Sequence, residues 1–382
     1  MMGSKTISVD VIVIGAGPAG IMSAIACAEK GLSIAVLEKS ELPRRKVCAG
    51  GLVKRAVNLI PKDISFPVEQ QCHTIAMQTN DPEMAFTQKR DNLITMVCRN
   101  SFDYALIQHA KRLGVQIYDK TQVKVIKPSA SSVHVHSNHG DIEGKYVVFA
   151  EGAMATLSNQ FWKEDRLLLP ALEADVYVDK QHAFQDQAMF DFGIVQGGYA
   201  WVFSKGDHLS VGLSMMRPQQ SPNLQNCLDA YLEKLGFQDA RITNRKGFII
   251  PLSPRKQPMM KQRMLLVGDT AGLADPVTAE GLTHAIQSGL GAGNAITKHF
   301  KQPNQVANMY QQDVIEPILQ ELKVARLIAK VIYHPNSRWR NMIFKHYGHR
   351  LCRGMADLIE GKRDYTSSVK KHPFLHAIIK SL

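Results

Sequence analysis

The stretch Val9-Asp10-Val11-Ile12-Val13-Ile14-Gly15-Ala16-Gly17-Pro18-Ala19-Gly20 sets the terms for the whole chain. Its first six residues form a short apolar run rich in β-branched side chains, the composition of a strand buried on both faces. Glycines end that run. Residues 21–30 have helical composition, and Gly31 stops them before a second apolar run, Ile34-Ala35-Val36-Leu37. Strand, glycine turn, helix and strand in that order open a parallel sheet built to hold a dinucleotide. The glycines differ in what they permit. Gly15 makes the tight turn, Gly17 lets backbone approach a diphosphate, and Gly20, after Ala19, lets the helix pack closely on the strand. The diphosphate then rests on free N–H groups at the positive end of the helix. Glu38, eighteen residues after Gly20, closes the second strand. With Lys39 beside it, it is placed to accept hydrogen bonds from a ribose.

A second signature lies far along the chain. Met264-Leu265-Leu266-Val267-Gly268-Asp269-Thr270-Ala271-Gly272 is an apolar strand running into Gly-Asp, and Gly281-Leu282 opens another helical stretch. This pattern resembles the second FAD motif of the p-hydroxybenzoate hydroxylase superfamily. The resemblance implies FAD as the cofactor, with Gly268 and Asp269 on its ribityl chain. It also implies a helix N-terminus at 281–282 facing the flavin pyrimidine, where its positive end favours the charge of the reduced ring. Arg99-Asn100-Ser101-Phe102-Asp103 resembles the superfamily's arginine-led helix start, which implies Arg99 near the cofactor. The middle element departs: Ala150-Glu151-Gly152 stands where Ala-Asp-Gly is usual, and Ala155 and Ser158 replace a common serine and arginine. No second strand–GxGxxG–helix unit follows for NADPH, so NADPH or reduced ferredoxin is expected to dock transiently as electron donor.

Three further stretches narrow the resemblance to the geranylgeranyl reductase family. Pro43-Arg44-Arg45-Lys46-Val47-Cys48-Ala49-Gly50-Gly51-Leu52 is similar to its P-x-x-K-x-C-G-G-G motif. Gly198-Tyr199-Ala200-Trp201-Val202-Phe203-Ser204-Lys205 is similar to its G-Y-x-W-x-F-P-K strand, closed by Val211-Gly212-Leu213. Asp275-Pro276-Val277-Thr278-Ala279-Glu280-Gly281-Leu282 is similar to its N/D-P-x-x-G-E-G-I loop. The departures are Ala49 and Ala279 for glycine and Ser204 for proline. The resemblance implies a reductase that saturates isolated double bonds of a prenyl chain in a lipid or prenyl diphosphate. It places Arg44, Ala49 and Gly50 at the cofactor and Cys48, Tyr199 and Trp201 at the reaction. The two aromatic rings share a face with Phe203, because residues two apart on a strand point the same way. Arg45 and Lys46 are expected to bias the Cys48 thiol toward thiolate. A bare alkene offers no carbonyl to polarise, so positioning in an apolar tunnel must carry most of the catalysis. A flavin monooxygenase of aromatic compounds shares both FAD signatures and is the rival reading. An electron carrier to quinone and a non-catalytic flavin protein are further alternatives.

The predicted architecture is α/β plus β. A Rossmann-like FAD-binding domain (7–65, 98–165 and 262–300) interleaves with a β-sheet substrate domain (66–97 and 166–261), and a basic helical C-terminal region covers 301–382. The net charge of +12 is concentrated at that end: residues 323–382 hold thirteen Lys or Arg against Asp357, Glu360 and Asp364. Lys323, Arg326 and Lys330 recur at helical spacing, and apolar residues recur near Phe374 and Ile378. A hydrophobic substrate makes an anionic membrane surface the expected partner of this face, and no nucleic-acid module accompanies it. Six separated cysteines suit a reducing compartment and no zinc site. His134, His136, His139, His346 and His349 lack metal spacing and are expected to be solvated. Residues 289–293 mimic a nucleotide loop but follow no strand, so close helix packing explains their glycines. The expected location is cytoplasmic, with contact at the inner face of the membrane.

Overall fold

A computed structural model describes residues 6–179, 182–217, 223–334 and 336–370. Two eight-stranded sheets organise it. In the first, Ile7–Ile14 lies between Ile34–Leu37 and Gly140–Phe149 in parallel register, with Ile12 beside Ala35 and Val147. Met264–Leu266 joins the far side of Gly140–Phe149, also in parallel. The strands at residues 11–14, 34–37 and 146–149 are fully buried, which is why they read as continuous apolar runs rather than alternating ones. Helix Pro18–Ala28 covers one face and packs along helix Leu282–Lys298. The glycines at 289–293 serve that contact. A Cβ on Gly289 would stand 2.2 Å from the Ala19 carbonyl oxygen, and one on Gly293 would stand 2.7 Å from Ala26 Cβ.

The second sheet has the order Arg241–Pro251, Leu168–Tyr177, His208–Met215, Gly198–Lys205, Gln187–Asp191, Gln70–Gln78, Phe86–Met96 and Gly51–Val53. One correction to the expected organisation concerns its last strand. Gly51–Val53 lies inside the 7–65 stretch assigned to the cofactor domain, yet it pairs antiparallel with residues 94–96 of the other sheet. The 48–50 turn carries the chain across, and Gly50 adopts φ +76° with its α-carbon tight against the Val97 carbonyl, where a Cβ would lie 2.1 Å away. One face of this sheet packs Ala200, Val202 and Leu213 on helix Leu224–Lys234 through Leu228, Tyr231 and Leu232. The other face turns toward the first sheet and the C-terminal helices.

Those helices are Pro303–Met309, Glu316–Ile332, Ser337–Glu360 and Tyr365–Lys370. They are not an appended tail. Cys352 and Phe344 are fully buried, and a Cβ on Gly348 would strike the Phe86 ring at 2.1 Å. Lys323, Arg326 and Lys330 do share an exposed face of Glu316–Ile332 while Leu322, Ala325 and Ile328 are buried. Residues 371–382, including Phe374 and Ile378, lie outside the described residues. Among the described residues no helix is long and apolar enough to cross a membrane.

Candidate functional site

The phosphate turn is built as its glycines require. Gly15 has φ +106°, and a Cβ there would lie 2.3 Å from the Ala150 carbonyl oxygen. Gly20 packs against the Gly15 carbonyl, 2.1 Å from where its Cβ would be. Gly17 is the N-cap of helix Pro18–Ala28, with no side chain capping that end and proline in the first turn. The helix therefore offers bare N–H groups at its positive end. Around Gly17 the steric limit is mild, since Arg44 Nη2 would stand at 3.4 Å from an added Cβ.

Glu38 follows the second strand. Its Oε2 accepts a hydrogen bond from Ala16 N–H at 3.0 Å and pairs with Arg44 Nε at 3.1 Å, and its Oε1 accepts from Ser40 N–H at 3.0 Å. Burial alone would raise its pKa, but Arg44 and the two amides outweigh that and hold the carboxyl below its ordinary value. Arg44 also reaches Asp103 at 3.6 Å, and Asp103 holds Arg99 through two bonds of 2.8 and 2.9 Å. Asp103 thus ties two arginines together rather than merely charging a helix end. Lys39 is exposed beside Glu38.

At the second signature, Gly268 adopts φ +55° with Ala19 and Ala285 against it. Asp269 Oδ1 would lie 3.1 Å from a Cβ on Gly281, so the Gly-Asp turn and the start of helix Leu282–Lys298 meet. Burial raises the Asp269 carboxyl above its ordinary value, against the pull of Lys46, Arg99 and Arg166. Arg166 donates to the Asp269 carbonyl at 2.7 Å and to the Ala153 carbonyl at 2.6 Å, while its Nε is buried without an acceptor. Burial and neighbouring Arg255 push its guanidinium down to about 10. An anionic or acceptor-rich ligand would relieve both features. Bare helix end, buried strand-end carboxylate, Gly-Asp turn and orphaned arginine donor together fit an adenine–flavin dinucleotide. Glu151, in the divergent middle element, caps its own turn by accepting from Leu157 and Ser158 N–H at 2.7 and 2.9 Å.

A large, mainly apolar cavity adjoins this cleft. Cys48, Ala49, Gly50, Gly281 and Leu282 line it, and so do Tyr199, Trp201 and Phe203 on the second sheet. Trp201 lies over Gly212, whose Cβ would sit 2.2 Å from the indole, and its Nε1 donates to Ser210 Oγ at 3.2 Å. Tyr199 Oη donates to the Thr278 carbonyl at 2.6 Å, and burial raises its pKa. With their polar atoms engaged, both side chains offer the cavity ring surface.

Cys48 is half-buried, but its basic neighbours are not those expected. Arg45 and Lys46 are exposed, and Arg45 bonds Asn244. The cation in contact with the Cys48 side chain is Arg99. Burial would depress the Arg99 guanidinium, but Asp103 and then Cys48 raise it above its ordinary value. Sequence spacing favoured the adjacent cations. The fold places Arg99 there instead, at the first position of the helix Arg99–Arg112, where Asp103 one turn on holds it.

Sequence reading missed the opposite wall. Ile343, Leu351, Gly354 and Met355 of helix Ser337–Glu360 face the cavity, as do Ile328 and Ile332 of the preceding helix. Arg55 is also there, bonded to Glu321 at 2.8 Å and 3.6 Å from both Asp275 and Glu280. Three tyrosines hold the 275–281 loop: Tyr199 on Thr278, Tyr333 on the Val277 carbonyl, and Tyr365 on the Asp275 carboxylate at 2.8 Å. Ala279, where the resembling family has glycine, adopts φ +57° in that loop. His134 and His136 are not merely solvated: they pair with Glu143 and Asp141 on the neighbouring strand, at exposed positions. No metal-binding cluster occurs among the described residues.

Residues 8–314 match the family model described as FAD binding domain. An uncharacterised protein of Methanosarcina barkeri is 30% identical over 85% of this chain and 84% of its own length. A digeranylgeranylglycerophospholipid reductase of Methanothrix thermoacetophila is 29% identical over 75% of this chain and 77% of its own. Among solved structures, a geranylgeranyl bacteriochlorophyll reductase-like protein from Thermoplasma acidophilum superposes with a TM-score of 0.82. It covers 97% of this chain and 100% of that one at 21% identity, a likeness of fold.

Proposed function

The chain belongs to the FAD binding domain family, as a geranylgeranyl reductase-like flavin oxidoreductase, and on that premise we propose that it saturates C=C bonds of a polyprenyl chain carried by a lipid or prenyl diphosphate. The observation that carries this reading is the wall chemistry of the cavity beside the cofactor cleft: aromatic faces on one side and aliphatic helix faces on the other. Such a surface recognises hydrocarbon, and the charged groups in its wall, Arg55 with Asp275, Glu280 and Glu321, are paired with one another. Gly15, Gly17, Ala19 and Gly20 would hold the diphosphate, with Arg44 above Gly17. Glu38 would take the adenosine ribose, and Gly268 and Asp269 the ribityl chain. Gly281 and Leu282 would present the helix end to the ring.

Bound FAD, once reduced, supplies the hydride for one alkene carbon, and a proton for the other completes the alkane. The protein's share is positional. Tyr199 and Trp201 hold the flat chain against the cleft, and Ala49 and Gly50 keep the intervening wall thin enough for approach. Cys48 stands at the junction of cleft and cavity, where it positions the alkene or relays the proton, with Arg99 fixing its surroundings. NADPH or reduced ferredoxin is the transient electron donor. The exposed cations at 323, 326 and 330 rest on anionic lipid at the membrane's inner face.

Mass spectrometry of lipid that co-purifies with the protein tests this reading. Polyprenyl species should be found, and incubation with a reductant should add two hydrogens per bond. Recovery of an aromatic compound that gains an oxygen would transfer the assignment to a monooxygenase.

A further inference from the structure

The 48–50 turn is anchored unevenly. Its downstream end is held by backbone: Val97 N–H donates to the Gly50 carbonyl at 2.9 Å, and Gly51 pairs with Met96 in the sheet. Its upstream end is held by a side chain from a distant strand of that sheet. Glu173, in the strand Leu168–Tyr177, accepts the Cys48 N–H on Oε1 at 3.0 Å. Glu173 is 5% exposed, and its Oε2 is buried without a hydrogen-bond partner.

The register explains how a carboxylate comes to be there. Glu173 lies opposite Gly212, and Gly212 lies opposite Trp201. Directly opposed residues of antiparallel strands share a face, so Glu173 stands in the same row as the Trp201 ring. Lys205, two residues beyond Phe203, shares that face too. Its ammonium is nearly buried, bonded to the Val97 carbonyl at 3.2 Å and paired with Glu69 at 3.3 Å. The face that presents aromatic rings to the cavity therefore also carries a buried acid that holds the Cys48 turn and a buried base on the Val97 carbonyl, against which Gly50 packs.

We infer that Glu173 is a positioning residue for alkene reduction, clamping the Cys48 backbone so that the turn is held beside the cofactor cleft. This rests on the proposed reductase function. Burial, with Asp175 adding to it, pushes the Glu173 carboxyl up to about 7, against Lys205, the Cys48 N–H and Arg45. These groups, with Glu69 behind Lys205, are the charges facing it from the strands and the turn. The clamp consequently changes strength near neutrality. A carboxylate accepts an amide hydrogen bond more strongly than a neutral carboxyl does. For a local opening that frees the Cys48 amide while Glu173 stays buried, the amide is therefore held more tightly above pH 7 than below it, because the hydrogen bond favours the ionised carboxyl.

Amide exchange at Cys48 in the protein with oxidised flavin bound reads the clamp directly, without turnover. Protection at Cys48, relative to neighbouring amides, should rise roughly fivefold between pH 6 and 8, the difference between a neutral and a charge-assisted bond. In Glu173→Gln, which keeps the shape and a neutral acceptor, that rise should vanish. In Lys205→Met it should persist with its midpoint moved to higher pH, because the cation that favours ionisation is gone. In the flavin-loaded enzyme, reoxidation by a polyprenyl lipid should climb over the same range, and Glu173→Gln should stay near its low-pH rate while reduction by the donor is unchanged. Flat protection at Cys48 in the wild type, or an unaltered profile in Glu173→Gln, would overturn the inference. Failure of any prenyl lipid to reoxidise the wild type would instead strike the functional reading, and the exchange measurement would still decide the clamp.

Discussion

At Gly15 and Gly20 the fold leaves no room for choice. Added Cβ atoms would fall 2.1–2.3 Å from backbone oxygens, so residue type alone fixes where the chain may turn. At the far wall of the cavity the constraint is of another kind. Gly354 has nothing within 4 Å of where its Cβ would be, and Ile343, Leu351 and Met355 need only be apolar and of suitable size. One region is specified by backbone geometry and the other by a surface assembled from distant segments. The first kind of site tolerates few residue types, whereas the second can change shape by substitution without disturbing the backbone.

The largest expected effect breaks the first region while leaving its fold intact. A Cβ on Gly17 has only the flexible Arg44 guanidinium near it, at 3.4 Å, so Gly17→Val should melt near the normal temperature. Yet blocking backbone approach to the diphosphate should weaken FAD binding by at least roughly 100-fold, about 2.7 kcal/mol. Flavin fluorescence titration beside a thermal melt measures both. Retained affinity would mean the turn does not hold the diphosphate.

Next comes the outer surface of the second region. Neutralising Lys323 and Lys330 to glutamine should reduce binding to anionic vesicles by roughly 30-fold, given about 1 kcal/mol for each cation that reaches the surface. The loss should shrink with salt, since screening acts over about 8–10 Å at 0.1–0.15 M. Unchanged sedimentation with vesicles would leave that face merely solvated.

The inner surface can be sharpened by contrasting two glycines of one helix. Gly354 lies on the cavity wall with no atom within 4 Å of an added Cβ, so Gly354→Phe should keep FAD binding and stability while alkene reduction slows about tenfold, roughly 1.4 kcal/mol of barrier. Gly348→Val overlaps the Phe86 ring and should cost about 1–3 kcal/mol of stability, as overpacked cores do. Stopped-flow rates and denaturant titration should separate the two. Equal behaviour would mean helix Ser337–Glu360 does not form the cavity wall.

The smallest effect lies between the regions, at Ala279. Its φ of +57° places a Cβ in the left-handed region, so Ala279→Gly should raise stability by up to about 1 kcal/mol. A destabilised glycine variant would show that the loop is not strained there.

This contrast also governs what could be read from the sequence. The glycine turns, Glu38 and the Gly-Asp turn were legible because local geometry dictates those residue types at those spacings. The alternation of Tyr199, Trp201 and Phe203 was legible because a strand has period two. Glu173 was not, since its partner Cys48 lies 125 residues away, and neither was Tyr365, 90 residues from Asp275. The available signal was a carboxylate directly after the apolar run Leu167-Leu168-Leu169-Pro170-Ala171-Leu172. Net charge drew attention to the exposed side of the C-terminal helices and away from their buried faces. Adjacency in the chain also suggested Arg45 and Lys46 as partners of Cys48, where folding brings Arg99.

A single-turnover experiment tests the central claim most directly. The flavin-loaded protein is reduced anaerobically, mixed with a polyprenyl lipid, and followed by flavin absorbance and lipid mass. The cavity chemistry predicts one flavin reoxidised for each double bond lost, two hydrogens gained per bond, and no need for oxygen. Reoxidation that occurs only with oxygen, and that leaves an added oxygen atom on the substrate or no change in the lipid, would contradict it.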